Sequence, residues 1–174
     1  MVSGLFDEIQ KVEENMSNYL LTNEIIFESK PDAVPYNYRI SYKIAQICMI
    51  ISKSCHGRAG CSLVKLHIIS NALNTQEYMK SLQDYVNDKI GIILVRFDPV
   101  VNRAIKYAIA DKLVQQLKNG TFKLTNTGKE LIKRIEKEDI MIREKEFLNE
   151  LGTKLNHGKI EQLMSLWRYK NAEN

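Results

Sequence analysis

Hydrophobic residues recur every three or four positions through most of this 174-residue chain, a spacing that predicts amphipathic helices. Three such runs follow Ser41, Ser62 and Thr75, whose side chains can cap a helix by accepting a hydrogen bond from its first turn. A fourth run follows Asp98-Pro99, because proline is tolerated at the first helical position. Between the third and fourth runs, the short apolar stretch Ile92–Phe97 predicts a strand.

The passage after the fourth helix predicts a β-hairpin. Asn119-Gly120 lies between the runs Leu113–Leu117 and Thr121–Leu124, and Asn-Gly in that setting is the strongest short-range hairpin signal. Thr125 and Gly128 then lead the chain into another amphipathic helix. The order of elements predicts a mainly α fold with a small β-hairpin, in which a winged-helix-like core has flanking helices.

Charge and proline divide the chain into parts. Residues 1–35 hold seven acidic and two basic residues, and the remainder holds 14 acidic and 23 basic residues, so the formal net charge changes from −5 to +9. Pro31 and Pro35 each disfavour helix in the residue before them, which predicts a linker. We expect an acidic N-terminal helix and linker over residues 1–37, the winged-helix-like core over 38–138, and C-terminal helices over 139–174.

Composition favours a folded cytoplasmic protein. Hydrophobic residues make up 44% of the chain and charged residues 26%, which are ordinary globular values. The longest candidate for an uncharged apolar run, Ile44–Ser52, is far shorter than the roughly 20 apolar residues that a membrane-spanning helix needs. Asp7 and Glu8 stand where a signal peptide would carry basic residues. In a reducing compartment we expect the three cysteines to remain thiols.

No motif in the sequence indicates catalysis or a metal centre. Cys55, Cys61 and His67, with His56 beside them, form the only thiol and imidazole cluster. The six-residue spacing of the two cysteines differs from the roughly two to four residues typical of structural zinc sites, and small apolar packing is the alternative role for Cys61. We therefore expect a protein that is not an enzyme and that binds neither a cofactor nor a metal.

The basic residues around the predicted hairpin are candidate DNA contacts. In a winged-helix DNA reader, the helix before the wing enters the major groove, and here that helix is Pro99–Lys112. Arg103 and Lys106 on this helix, with Lys118 and Lys123 on the hairpin, could neutralise phosphate groups. The alternative is that these charges only solvate the surface.

Apolar stripes near the two chain ends are candidate surfaces for docking a partner. Leu5 and Phe6 belong to the N-terminal stripe, and Leu163, Leu166 and Trp167 to the stripe on the last predicted helix. Tryptophan often anchors protein interfaces, which favours the second stripe. The alternative for both stripes is packing within the chain's own core.

Four passages of the sequence resemble one protein family. They are Arg39–Ile51 (RISYKIAQICMII), Ser62–Leu73 (SLVKLHIISNAL), Phe97–Ala104 (FDPVVNRA) and Leu124–Gly128 (LTNTG). Over about residues 38–152 the chain resembles the middle component of the bacterial ABC-three-component systems, the small subunit of Lamassu-type anti-phage defence complexes.

The resemblance implies a non-catalytic accessory subunit that bridges an SMC/Rad50-type ATPase and an effector subunit, often a nuclease. It implies that the ATPase senses foreign DNA, while the small subunit docks on it and helps to hold the effector inactive. ATP hydrolysis and DNA cleavage would then belong to the partners. A second hypothesis is a winged-helix DNA-binding transcription regulator, which would form a homodimer because repressors read two-fold sites.

Overall fold

The computed structural model describes residues 39–55, 57 and 59–172, the side chains of residues 169–172 excepted. The predicted N-terminal helix and linker lie outside these residues. The elements in chain order are α1 (Ile40–Ser54), α2 (Leu63–Ala72), α3 (Gln76–Val86), α4 (Pro99–Ala110), β1 (Val114–Gln116), β2 (Phe122–Leu124), α5 (Asn126–Lys137), α6 (Ile142–Leu151) and α7 (His157–Ala172). The prediction of a mainly α fold with a small β-hairpin is confirmed.

Local side-chain chemistry determines where most of these helices begin. The side chains of Ser62, Thr75 and Asp98 each accept a hydrogen bond from a backbone N–H in the first turn of α2, α3 and α4, as predicted. α1 departs from the prediction because it begins at Ile40, ahead of Ser41, and has no side-chain cap. The exposed Ile40 and Ser41 begin α1, and its buried residues start at Lys43.

α1 lies at the centre of the described part of the chain. It contacts α2, α4, α5, α6 and β2. Its residues Ile47, Cys48 and Ile50 are fully buried, as its nearly continuous apolar circumference predicts. α6 adds Leu148 and Leu151 to the same hydrophobic core, and α7 adds Ile160 and Leu163. None of the helices in the described residues combines the length and hydrophobicity that crossing a lipid bilayer requires.

A buried lysine joins α1 to α2 inside this core. The side chain of Lys43 is only 1% exposed. Its Nζ donates to Gln46 Oε1 at 3.1 Å, to Ser70 Oγ at 3.1 Å and to Asn74 Oδ1 at 3.2 Å. Burial lowers the pKa of the Lys43 ammonium, and the nearby Asp98 carboxylate opposes part of that shift. All three ammonium protons thus find acceptors, although none of those acceptors is charged.

The hairpin forms as predicted, with Asn119-Gly120 at its turn. β1 and β2 pair antiparallel, so that Val114 lies opposite Leu124 and Gln116 opposite Phe122. Cys61, just before α2, pairs with the outer edge of β2: Cys61 N donates to Phe122 O and Phe122 N donates to Cys61 O, both at 2.8 Å. The residue that precedes α2 therefore extends the small sheet by one position.

Gly128 lets α5 start directly beneath the strand that leads into the hairpin. Thr125 Oγ1 caps α5 by accepting from Gly128 N at 3.1 Å, and Thr125 N donates to Leu113 O at 3.0 Å. A Cβ at position 128 would overlap the backbone oxygen of Leu113 and lie 3.0 Å from a methyl carbon of Leu124. The close approach of two backbone segments therefore requires glycine at this position.

The strand predicted at Ile92–Phe97 does not form. These residues pair with no strand in the described part of the chain. Side chains hold the run instead: Asn71 Oδ1 accepts from Arg96 N at 3.2 Å, and Trp167 Nε1 donates to Ile93 O at 3.1 Å. The prediction was wrong because a strand depends on a neighbouring strand, which the local sequence does not reveal.

The expectation of three thiols is also wrong for two of the cysteines. Cys55 and Cys61 are joined by a disulfide, with their Cα atoms 5.3 Å apart. Cys55 directly follows α1, and Cys61 pairs with β2, so the disulfide connects the end of α1 to the small sheet. Cys48 is a free and buried thiol, and burial raises its pKa to about 12. It therefore stays protonated and unreactive at neutral pH.

Candidate interaction surfaces

α4 turns its apolar side towards the core and its basic side towards solvent. Val101, Ala104 and Ile105 are buried, whereas Arg103 and Lys106 are exposed. Pro99 and the Asp98 cap fix the start of this helix, and the 3.6-residue repeat then places both cations on the outer face. The two helix residues predicted to contact DNA are therefore accessible.

The hairpin carries the other two predicted DNA contacts. Lys118 is exposed at the turn, and Lys123 is half-buried opposite Gln115 in the β1–β2 ladder. Side chains alternate along a strand, so Lys123 lies on the opposite face of the sheet from the buried Phe122 and Leu124. We call Arg103, Lys106, Lys118 and Lys123 the basic surface.

The basic surface has an excess of positive charge. From Pro99 to Leu124 the chain holds five basic residues and one acidic residue. Among the ion pairs of the described residues, none includes a member of the basic surface. These cations are therefore free to attract an anionic partner, to the extent that salt does not screen them.

A histidine fixes α4 against α2 behind the basic surface. His67 is buried, and its Nε2 lies 3.1 Å from Asn102 Oδ1. The ring of His67 also packs on Phe97, with the centroids 4.8 Å apart. The contact between His67 and the exposed Asn102 therefore links α2 to α4.

A second surface is apolar and lies between α3 and the extended run that precedes α4. Tyr78, Ile90 and Leu94 line a groove of about 220 Å³ there, and we call these three residues the apolar surface. Leu94 is the most exposed of the large hydrophobic residues in the described chain, at 81%. Large apolar side chains grouped around a groove are typical of interaction sites.

The stripe predicted on the last helix packs inside the protein. Leu163 is 0% exposed and belongs to the core, so its side chain has no surface to offer a partner. Leu166 and Trp167 are partly buried, and the Trp167 ring meets Phe97 edge-on with centroids 6.1 Å apart. Internal packing, the alternative named for this stripe, describes it better. Leu5 and Phe6 lie outside the described residues.

The thiol and imidazole cluster separates in the structure. Cys55 and Cys61 bond to each other, whereas His67 contacts Asn102 and Phe97. His56 lies outside the described residues. Within the described ranges, no group of three or more histidine, cysteine, aspartate or glutamate residues is arranged to hold a metal ion.

The sequence indicated the basic surface but not the apolar one. The sequence predicts that Ile92–Phe97 lies in a sheet, whereas the structure leaves this run outside any strand, with Leu94 exposed. Comparison with known proteins gives no further information on these surfaces. No protein-family model, curated protein or solved structure matches the chain. Its surfaces and its sequence resemblance are therefore the basis for a functional proposal.

Proposed function

We propose that this chain is an accessory subunit of a bacterial anti-phage or anti-plasmid defence complex. In that role it bridges an SMC/Rad50-type ATPase and an effector subunit such as a nuclease. The observation that carries the proposal is the apolar surface, because Leu94 exposes a large hydrophobic side chain beside an open groove. The sequence resemblance supplies the class of partner that would cover it.

The arrangement of elements supports a winged-helix-like core for this subunit. α1, the paired residue Cys61, α2, α4, the β1–β2 hairpin and α5 follow one another in the order that a winged helix requires. α3 and the extended run after it are then an insertion between the second and third helices of that core. The apolar surface belongs to the insertion and the basic surface to the core, so the two surfaces can serve different partners.

Replacing Leu94 with lysine will release the chain from the ATPase. Removing a central apolar contact and burying a charge in its place costs about 2 kcal/mol or more, which is roughly a 30-fold loss of affinity. The measurement is affinity purification of the tagged full-length chain from cells that carry its native gene neighbourhood. Quantitative mass spectrometry and sizing then give the recovered ATPase per copy of the chain.

The matched control is Ile142→Lys, which makes the same kind of change at the start of α6. Ile142 is 51% exposed and lies outside the apolar surface, so this variant should recover the ATPase as well as the wild type does. Recovery of the wild-type chain alone would refute the proposed complex. Equal recovery with both variants would refute the assignment of the apolar surface to the ATPase.

A second candidate function, a winged-helix DNA-binding transcription regulator, is favoured by the basic surface. Changing Arg103 and Lys106 together to glutamine should weaken binding to duplex DNA and lower the salt slope of log K by about 2, because two phosphate contacts are lost. Fluorescence anisotropy over a potassium chloride series measures both effects. Changing the exposed Lys80 and Lys154 to glutamine is the control, and equal slopes for the two double variants would exclude this interface.

A further inference from the structure

The loop between α1 and α2 supports the tip of the hairpin. The structure describes residues 55, 57 and 59–61 of this loop, and the disulfide joins Cys55 to Cys61. From the hairpin, Thr121 Oγ1 donates to Ala59 O at 2.6 Å and Asn119 Nδ2 donates to the same oxygen at 3.3 Å. One backbone carbonyl of the loop therefore receives two hydrogen bonds from the hairpin tip.

The two segments also meet through their backbones. Cys61 exchanges two hydrogen bonds with Phe122 in β2. Gly60 lies so close to the hairpin that a Cβ there would overlap Thr121 Oγ1. The contacts of Ala59, Gly60 and Cys61 thus hold the hairpin tip, which carries Lys118 at the turn.

We propose that Cys55 and Cys61 form a reversible thiol–disulfide site that controls the order of the hairpin tip. The structure represents the oxidised state. Cys55 is half-buried, whereas Cys61 is fully buried beside β2, so Cys55 is the cysteine that a small reagent would reach first. In a reducing cytoplasm, disulfides of this kind are mostly transient and serve redox sensing or catalysis.

Oxidation needs a peroxide as the oxidant. The Cys55 thiolate attacks one peroxide oxygen, the O–O bond breaks, and Cys55 becomes a sulfenic acid as the first water leaves. The Cys61 sulfur then attacks the Cys55 sulfur and displaces the hydroxyl group as a second water. In total, the two thiols lose two electrons and two protons, and one hydrogen peroxide becomes two waters.

Reduction needs a dithiol as the reductant. One thiolate of the dithiol attacks Cys55, forms a mixed disulfide and releases the Cys61 thiol. The second thiol of the reductant then displaces Cys55, so that both cysteines are reduced and the reductant holds the disulfide. The open loop has more conformational freedom than the closed one, and its contacts with the hairpin become less persistent.

The test is hydrogen–deuterium exchange of the full-length chain in two states. One sample is oxidised with hydrogen peroxide and the other is reduced with tris(2-carboxyethyl)phosphine. Alkylation under denaturing conditions should count one free thiol in the oxidised sample and three in the reduced sample, since Cys48 is free in both. Exchange in peptides that cover residues 117–124 should rise about tenfold on reduction, while the core of α1 is unchanged.

Variants separate this site from general effects of the reagents. Cys55→Ser alters only the half-buried member of the pair, and it should exchange like the reduced wild type under both conditions. Cys48→Ser keeps the pair and should respond as the wild type does. Equal exchange at residues 117–124 in both states, or three free thiols after peroxide treatment, would overturn the proposal. The readout is the order of the hairpin, so the result does not depend on either function proposed above.

Discussion

Replacing Gly128 with alanine will lower the free energy of unfolding by about 2–4 kcal/mol. The added Cβ would overlap the backbone oxygen of Leu113, and a backbone group cannot turn aside as the end of a flexible side chain can. That oxygen also accepts from Thr125 N at 3.0 Å, so displacing it would disturb the start of α5 as well. Urea denaturation followed by far-UV circular dichroism measures the change.

Gly158→Ala is the control for this substitution. Gly158 lies in the first turn of α7, and the nearest atom to an added Cβ would be Asn156 Oδ1 at 3.5 Å, an ordinary contact. Alanine has the higher helix propensity, so this variant should equal or exceed the wild type by up to about 1 kcal/mol. If the Gly128 variant were as stable as the Gly158 variant, α5 would not pack against Leu113 as described.

Replacing Lys43 with methionine will lower the free energy of unfolding by about 2 kcal/mol. Methionine retains an unbranched apolar stem but leaves three acceptors without the ammonium that they share. Two of those acceptors belong to Gln46 and Ser70, which are buried and cannot turn to water. Ser70 Oγ still donates to Gln46 Oε1 at 2.8 Å, so each of these acceptors loses one hydrogen bond rather than all of them. We expect the loss of the three hydrogen bonds from the ammonium to outweigh the desolvation cost that methionine removes.

The effect of pH provides a second check on Lys43. Burial lowers its pKa in the folded state, whereas the unfolded chain keeps the ordinary value of 10.5. Between the lowered value and 10.5 the unfolded chain binds more protons, so the stability of the wild type relative to the methionine variant should rise with pH. Urea titrations of both proteins at neutral and alkaline pH measure this difference.

Lys80→Met is the matched control for Lys43→Met. Lys80 is exposed on α3, and the same change there should alter stability by less than about 0.5 kcal/mol. Equal stability of the Lys43 variant and the wild type would contradict the importance of the three hydrogen bonds. It would mean that desolvation of the ammonium cancels what they contribute.

Features that depend on residues a few positions apart were predictable from the sequence. The caps at Ser62, Thr75 and Asp98 each involve a backbone N–H two or three residues ahead. The hairpin turn likewise has a local signal, because Gly120 adopts a φ of 79°, a conformation that glycine reaches readily. The start of α4 was enough to predict that Arg103 and Lys106 lie on its outer face, and the hairpin prediction included Lys118 and Lys123.

Features that depend on distant partners were not predictable. The run Ile92–Phe97 has the composition of a strand, but its contacts come from Asn71 and Trp167, which are far away in the chain. Lys43 is buried because Ser70 and Asn74 supply acceptors, and no local pattern marks it. The Cys55–Cys61 bond likewise depends on the pairing of Cys61 with β2. The apolar surface escaped sequence analysis for the same reason.

The indole hydrogen bond from Trp167 to Ile93 has a consequence for ligand binding. It connects α7 to the residue next to Leu94, the most exposed member of the apolar surface. A partner that immobilises Leu94 will therefore also favour the docked position of Trp167. Thermodynamic linkage is reciprocal, so if the partner of the proposed complex binds Leu94 and favours this hydrogen bond, the hydrogen bond in turn favours that binding by the same factor.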